Sequence, residues 1–158
     1  MATHDAEIRW RRADDEAFTD RRYSRAHTWH FDGGAVVAAS SSPHAVPLPY
    51  SRPEHVDPEE AFVAAIASCH MLTFLYLAAK AGHVVDAYDD HAVGTLAPND
   101  DGRPAVVRVV LRPAIVFSGA SLPDEEGLAR LHHASHEQCF IANSVRTAID
   151  VEGTWTCR

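Results

Sequence analysis

At 158 residues, with 46% hydrophobic and 23% charged side chains, the chain has the size and composition of one globular domain, residues 1–158. A formal net charge of -8, a single lysine (Lys80) and scattered arginines exclude the clustered positive charge that a sequence-independent grip on nucleic acid or anionic lipid requires. Three widely spaced cysteines, Cys69, Cys139 and Cys157, form neither a disulfide framework nor a CxxC pair.

The opening "MATHDAEIRW" carries charges where an export signal has an apolar run, so a cytoplasmic setting is expected. "AEIRWRR" alternates, with Ile8 and Trp10 on one face, and reads as a strand. "YSRAHTWHF" alternates more clearly: Tyr23, Arg25, His27, Trp29 and Phe31 share a face. Asp32-Gly33-Gly34 then marks a turn into "AVVAASS", the expected hairpin partner. The proline-rich "SPHAVPLPYSRPEHVDP" reads as an irregular connection.

A long helix follows, with Asp57 as N-cap, Pro58 in its first turn, Glu60 completing a capping box and Gly82 as its stop. Its sides are apolar all round, which predicts a buried central helix. Ser68, His70 and Thr73 interrupt the run and no second span exists, which argues against a membrane helix. Beyond it, "HAVGTLA" and "AVVRVVLRPAIVF" read as strands, the second with Val107, Val109 and Leu111 inward and Arg108 and Arg112 outward. A second helix is predicted from Pro123 to about Gln138, then a short helical segment from Cys139, and "TAIDVEGTWTC" as a final strand with Ile149, Val151 and Trp155 on one face. Strands, helix, strands, helix and strand make an α+β fold. A helix without a polar face is hard to bury in so small a monomer, so a homodimer packing two such helices is expected.

The chemistry-bearing residues admit two readings each. Cys69 is either a small hydrophobe at a tight helix contact or a reactive thiol, which needs a nearby cation. Arg25, placed on the apolar strand face, could supply that cation, or could snorkel to water or pair with a core acid. His132 and His136, four apart with Cys139 three further on, have the spacing of a metal-ligand run or of a polar helix face; no further ligand completes the set, and no metal is assigned. His70, adjacent to Cys69 on a helix, cannot share its face, which argues against a Cys-His nucleophile pair. Cys157 is expected to do nothing.

Three stretches, "YSRAHTWHFDGG", "DPEEAFVAAIASCHMLTFLYLAAKAG" and "HEQCFIANSVRTAIDVE", in this order and spacing, resemble the OsmC/Ohr family of osmotically inducible and organic hydroperoxide resistance proteins. The resemblance implies antiparallel sheets around a long central helix, an intertwined homodimer, and a cysteine-based peroxidase that needs no cofactor. It matches Cys69 to the attacking cysteine, Cys139 to the resolving cysteine, Glu59 to an acid at the start of the helix, and Arg25 to the arginine that steadies the thiolate. It implies a small-molecule hydroperoxide as substrate and an external dithiol, of lipoyl type, as reductant. Phe140 stands where the family has a proline. Met71, Phe74, Phe140 and Ile141 suggest an apolar approach, hence organic hydroperoxides rather than hydrogen peroxide. On an ideal helix Glu59 and Cys69 lie roughly 15 Å apart, so the partner subunit, a helix break or a relay through Arg25 must connect them. The alternative function is a dimeric relative that binds a small apolar ligand with little or no turnover.

Overall fold

A computed structural model describes residues 1–158. It divides into two compact units, residues 1–61 and 62–158.

In the first unit, β1 (Ala6–Arg9), β2 (His27–Phe31) and β3 (Val36–Ala39) form an antiparallel sheet in that order, with Ile8 and Val37 flanking Trp29. The β2–β3 turn closes where expected: Gly34 takes φ 85°, a left-handed conformation that suits glycine, and its N–H donates to the Phe31 carbonyl at 2.9 Å. The predicted strand from Tyr23 is shorter than its alternation suggests. Residues 23–26 stay outside β2, because the Arg25 N–H donates to the Tyr50 carbonyl instead of to a neighbouring strand. Trp10 also falls outside β1; its indole N–H donates to the Ser24 carbonyl at 2.8 Å, and its ring packs with Phe18 and Tyr23.

Helix α1 (Pro58–Lys80) starts in the first unit and runs unbroken into the second. Its punctuation is as the sequence predicts: the Glu60 N–H donates to Asp57 Oδ1 at 2.8 Å and the Asp57 N–H to Glu60 Oε2 at 3.0 Å. At the other end Gly82 adopts φ 84° and the His83 N–H reaches back to the Ala78 carbonyl, closing the last turn. The single chain by itself buries α1 on one side only. Within the chain a single stripe, Ile66, His70, Phe74 and Ala78, is covered, while Ser68, Leu72 and Tyr76 face outward. By length and apolar composition α1 could cross a bilayer, but its buried stripe is packed as a core helix is.

The second unit holds two three-stranded sheets. One has the order β4 (Val84–Asp90), β7 (Pro113–Ser118), β9 (Thr154–Cys157); the other has β5 (Val93–Pro98), β6 (Pro104–Leu111), β8 (Ala148–Val151). Two stretches read as single strands are therefore two strands each. The chain leaves one sheet for the other at Arg112 and again at Glu152–Gly153. The sheets are also not purely antiparallel: β4–β7 and β5–β6 are, but β6–β8 and β7–β9 are parallel. The Glu152 N–H donates to the Leu111 carbonyl at 2.8 Å, and the outward Arg108 and Arg112 meet Asp150 and Glu152 in exposed ion pairs of 2.6 and 3.1 Å. Such pairs contribute about 0–1 kcal/mol each.

The first half of the buried stripe packs Ile66 on Val109 and Leu111 of β6. The second half packs Phe74 and Ala78 on Ile115 and Phe117 of β7 and on Leu128 of α2 (Glu125–Gln138). Fully burying a side chain such as Phe74 contributes about 1.5–3 kcal/mol. One helix thus carries both cores, and Cys69 lies between the Ile66 end and the Phe74 end.

Candidate functional site

α2 brings the second cysteine to the first. The helix begins at the N-cap Asp124, whose side chain accepts from the Gly127 N–H, and lays Leu128, His132 and Ser135 inward. Its C-cap is Cys139, 1% exposed, with extended backbone. There Cys139 Sγ lies 2.7 Å from Cys69 Sγ, although seventy residues separate the two. Both thiols are free, as is the exposed Cys157 at the far end of β9.

The expectation that Cys139 opens a short helix is corrected. It closes α2, and the single-turn 3-10 helix Ala142–Ser144 begins only after Phe140 and Ile141. Its thiol therefore sits at a negative helix end, not a positive one. Burial pushes its pKa up and the hydrogen bond to Cys69 adds to the rise, outweighing the 3.4 Å approach of the Ala142 N–H. Cys69 is the more open of the two. The pair is thus unequal: a buried thiol whose pKa is raised lies against a more open one.

The segment after Cys139 is held by its own side chains. The Asn143 amide donates to the carbonyls of Glu137 at 2.8 Å and Cys139 at 3.0 Å, and the Ser144 hydroxyl donates to the Phe140 carbonyl at 2.7 Å. These bonds satisfy acceptors that the end of α2 leaves open. They also turn the Phe140 ring outward, to 84% exposure. Phe140 lines a cavity of ≈ 540 Å³ with Leu72, Thr73 and Tyr76 of α1. Of the other side chains predicted to form an apolar approach, Met71 is half-buried, Ile141 packs against the Ile66 cluster, and Phe74 is fully buried against His132. Phe74 is therefore core rather than wall, because its position places it on the covered stripe of α1. Leu72 and Tyr76, which the sequence reading did not single out, take that place; their i, i+4 spacing on the uncovered face is the signal that identifies them.

Arg25 and Glu59 belong to the first unit. Arg25 lies before β2, its guanidinium 3.8 Å over the Tyr23 ring and hydrogen-bonded to the carbonyls of Arg21 and Tyr23. The strand-face position that was to point it inward does not exist. Glu59 is exposed in the first turn of α1. Because the helix is continuous from Pro58 to Lys80, a break between Glu59 and Cys69 is ruled out.

His132 pairs with His70 rather than with His136. His70 Nε2 and His132 Nδ1 are 3.1 Å apart, and the rings stack at 5.4 Å with 14° between their planes. No group of three His, Cys, Asp or Glu side chains is placed to hold a metal ion.

A sheet-and-helix domain whose longest helix presents one thiol to a second at the end of the following helix is the class of protein that the fold and site define. Residues 51–153 match the model of the OsmC-like protein family, and the chain belongs to that family. An OsmC-like protein of unknown function from Vibrio cholerae is 56% identical, with a TM-score of 0.95 over 98% of this chain and 100% of that one. An organic hydroperoxide resistance protein from Elizabethkingia anophelis shares the fold at 14% identity, with a TM-score of 0.66 over 100% of this chain and 98% of that one. The organic hydroperoxide resistance protein of Bacillus subtilis does so at 19% identity, with a TM-score of 0.61 over 98% of each chain. No curated protein matches the sequence significantly.

Proposed function

We propose that this protein is a thiol peroxidase that reduces organic hydroperoxides to alcohols, working as a cytoplasmic homodimer. The observation that carries the reading is the 2.7 Å contact between Cys69 and Cys139. Their inequality supports the roles that the family resemblance implies. The more open Cys69, as thiolate, attacks one peroxide oxygen; the O–O bond breaks, the alcohol leaves with a proton, and Cys69 becomes a sulfenic acid. The Cys139 thiol then attacks that sulfur, water leaves, and a Cys69–Cys139 disulfide forms. An external dithiol, of lipoyl type, reduces the disulfide by exchange and is itself oxidised to a disulfide. Phe140, Leu72 and Tyr76 favour a substrate with an apolar tail over hydrogen peroxide. The names of the Elizabethkingia and Bacillus relatives agree with this substrate class. The outward Leu72 and Tyr76 support a second copy of the chain against α1. The family resemblance gives Arg25 the role of steadying the thiolate and leaves Glu59 to act from the partner subunit or through Arg25.

The test is intact mass and thiol titration after one equivalent of cumene hydroperoxide. Wild type should lose two thiols and two mass units. Cys139→Ser should gain one oxygen at Cys69, and Cys69→Ser should remain unchanged. A wild type that keeps all its thiols would instead support binding of an apolar ligand without turnover, which the cavity beside Phe140 could also serve.

A further inference from the structure

The peroxidase reading leaves one buried polar cluster unused. His70 is 2% and His132 9% exposed, and their hydrogen bond is the only one between side chains of α1 and α2 apart from the thiol contact. Each histidine lies close in sequence to one cysteine: His70 directly follows Cys69, and His132 lies about two turns before Cys139, the C-cap of α2. Phe74 stacks on His132 at 4.6 Å, fixing its ring from the α1 side. On the strand side the ring abuts Gly153, where an added Cβ would lie 3.5 Å from His132 Nε2 and 3.0 Å from Pro113. That Nε2 is buried and has no hydrogen-bond partner.

An unpartnered buried nitrogen is destabilising, and an apolar pair of similar volume would avoid that cost. Apolar neighbours hold α2 on α1 through Leu128, but hydrophobic contact is non-directional and lets a helix slide or turn. A hydrogen bond between two fixed rings sets one rotation and one register, and the sulfur-to-sulfur distance depends on both.

We propose that the His70–His132 hydrogen bond is a latch that fixes α2 on α1 so that Cys139 meets Cys69, making the two histidines positioning residues for disulfide closure. The inference rests on the disulfide reading of the thiol pair. The latch needs one bare and one protonated ring nitrogen, and its surroundings keep both rings neutral. Burial is the main cause, and at His70 like-charge repulsion from His132 and then His136 adds to it.

The experiment measures the equilibrium between the reduced pair and its disulfide in glutathione buffers at pH 7, in a Cys157→Ser background. The exchange is balanced: two protein thiols and oxidised glutathione give the protein disulfide and two reduced glutathiones. Peroxide plays no part in it. The side chains allow a stereochemical test, because asparagine can place a polar atom near His132 Nδ1, whereas glutamine carries it one bond further and leucine has none. His132→Leu and His132→Gln should shift the equilibrium about tenfold toward the thiols, the equivalent of one buried hydrogen bond, and His132→Asn should stay close to wild type. A folded Leu or Gln variant with the wild-type equilibrium overturns the latch. So does an Asn variant as impaired as Leu, which would mean that packing volume alone sets the register. A wild type that equilibrates with glutathione yet ignores cumene hydroperoxide would remove the peroxidase reading and leave the latch standing.

Discussion

The Asn143 side-chain amide donates to the Cys139 carbonyl at 3.0 Å, so the residue that closes α2 is pinned by a side chain four positions beyond it. The same amide takes up the Glu137 carbonyl, and the Asn143 backbone N–H bonds Cys139 again at 3.1 Å. Asn143→Ala should therefore free the cysteine-bearing turn while leaving both thiols in place. The expected loss is about 1–2 kcal/mol of stability and a slower closure of the disulfide. Asn143→Asp, equal in shape but an acceptor facing carbonyls, should be worse. The check is the lifetime of the Cys69 sulfenic acid, followed by dimedone trapping after a single dose of peroxide; equal lifetimes in wild type and Asp variant would reject the role given to Asn143.

Gly94 of β5 sits where α1 passes closest. A Cβ there would lie 2.6 Å from Val63 Cγ2, too close for any real contact, and valine has little rotamer freedom in a helix. Gly94→Ala should cost about 1–3 kcal/mol in urea unfolding. Adding Val63→Ala should recover part of that loss, so the double variant is more stable than the sum of the singles. Strict additivity would mean that the contact is relieved elsewhere.

The buried histidines make a prediction for acid. Both are pushed down to about 4, chiefly by burial, from an ordinary value of 6.5. Above the ordinary value neither state binds a proton there and the full stability is present. As pH falls, the unfolded chain takes up protons that the folded chain refuses, so stability declines until the folded rings titrate near 4. Each ring contributes up to about 3 kcal/mol to that decline. Urea midpoints should therefore drop between pH 6.5 and 4, more steeply in wild type than in His132→Asn. Parallel curves would show that carboxylates, not these rings, govern acid stability.

Because α1 is continuous, Glu59 lies roughly 15 Å along the axis from Cys69, and an action of Glu59 on the thiol of its own chain would need a relay. The proposed dimer offers another route. Co-refolded Cys69→Ser and Glu59→Gln subunits should regain activity at one site of each mixed dimer if Glu59 serves the neighbouring chain. Random pairing makes half the dimers mixed, so about a quarter of wild-type sites is the ceiling for a twofold assembly. No recovery, in dimers shown by mass to be mixed, would confine Glu59 to its own subunit.

What the sequence disclosed and what it concealed follow from the range of the forces involved. The ends of α1 were legible because Asp57, Glu60 and Gly82 act on backbone groups within a turn of themselves. The division of "AVVRVVLRPAIVF" was not, because its apolar run continues through Arg112 and only the choice of partner strand separates β6 from β7. Strand β4 was missed because Asp86, Asp89 and Asp90 obscure the alternation of "VVDAYDD"; Ser118 and the Arg112 N–H meet two of those acids in the folded chain. Arg25 was misplaced because alternation in "YSRAHTWHF" continues past the point where Tyr50 captures its N–H. At the site, Cys69 and Cys139 were named from the resemblance, and the histidine pair escaped because His132 was weighed only against neighbours on its own helix.

The parallel pairings set the order in which the second unit can be assembled. β6 and β7 are adjacent in sequence, yet each acquires its outer parallel partner from residues 148–157, some forty positions later. Neither sheet gains its third strand until that segment arrives, and one short segment completes both. Contacts of such sequence separation close slowly. Until they do, β6 and β7 each present an unpaired edge, and the nascent chain is at its most prone to aggregation over that interval. Loss of Ala148–Cys157 would accordingly open two sheets at once, although it removes neither helix and neither thiol of the pair.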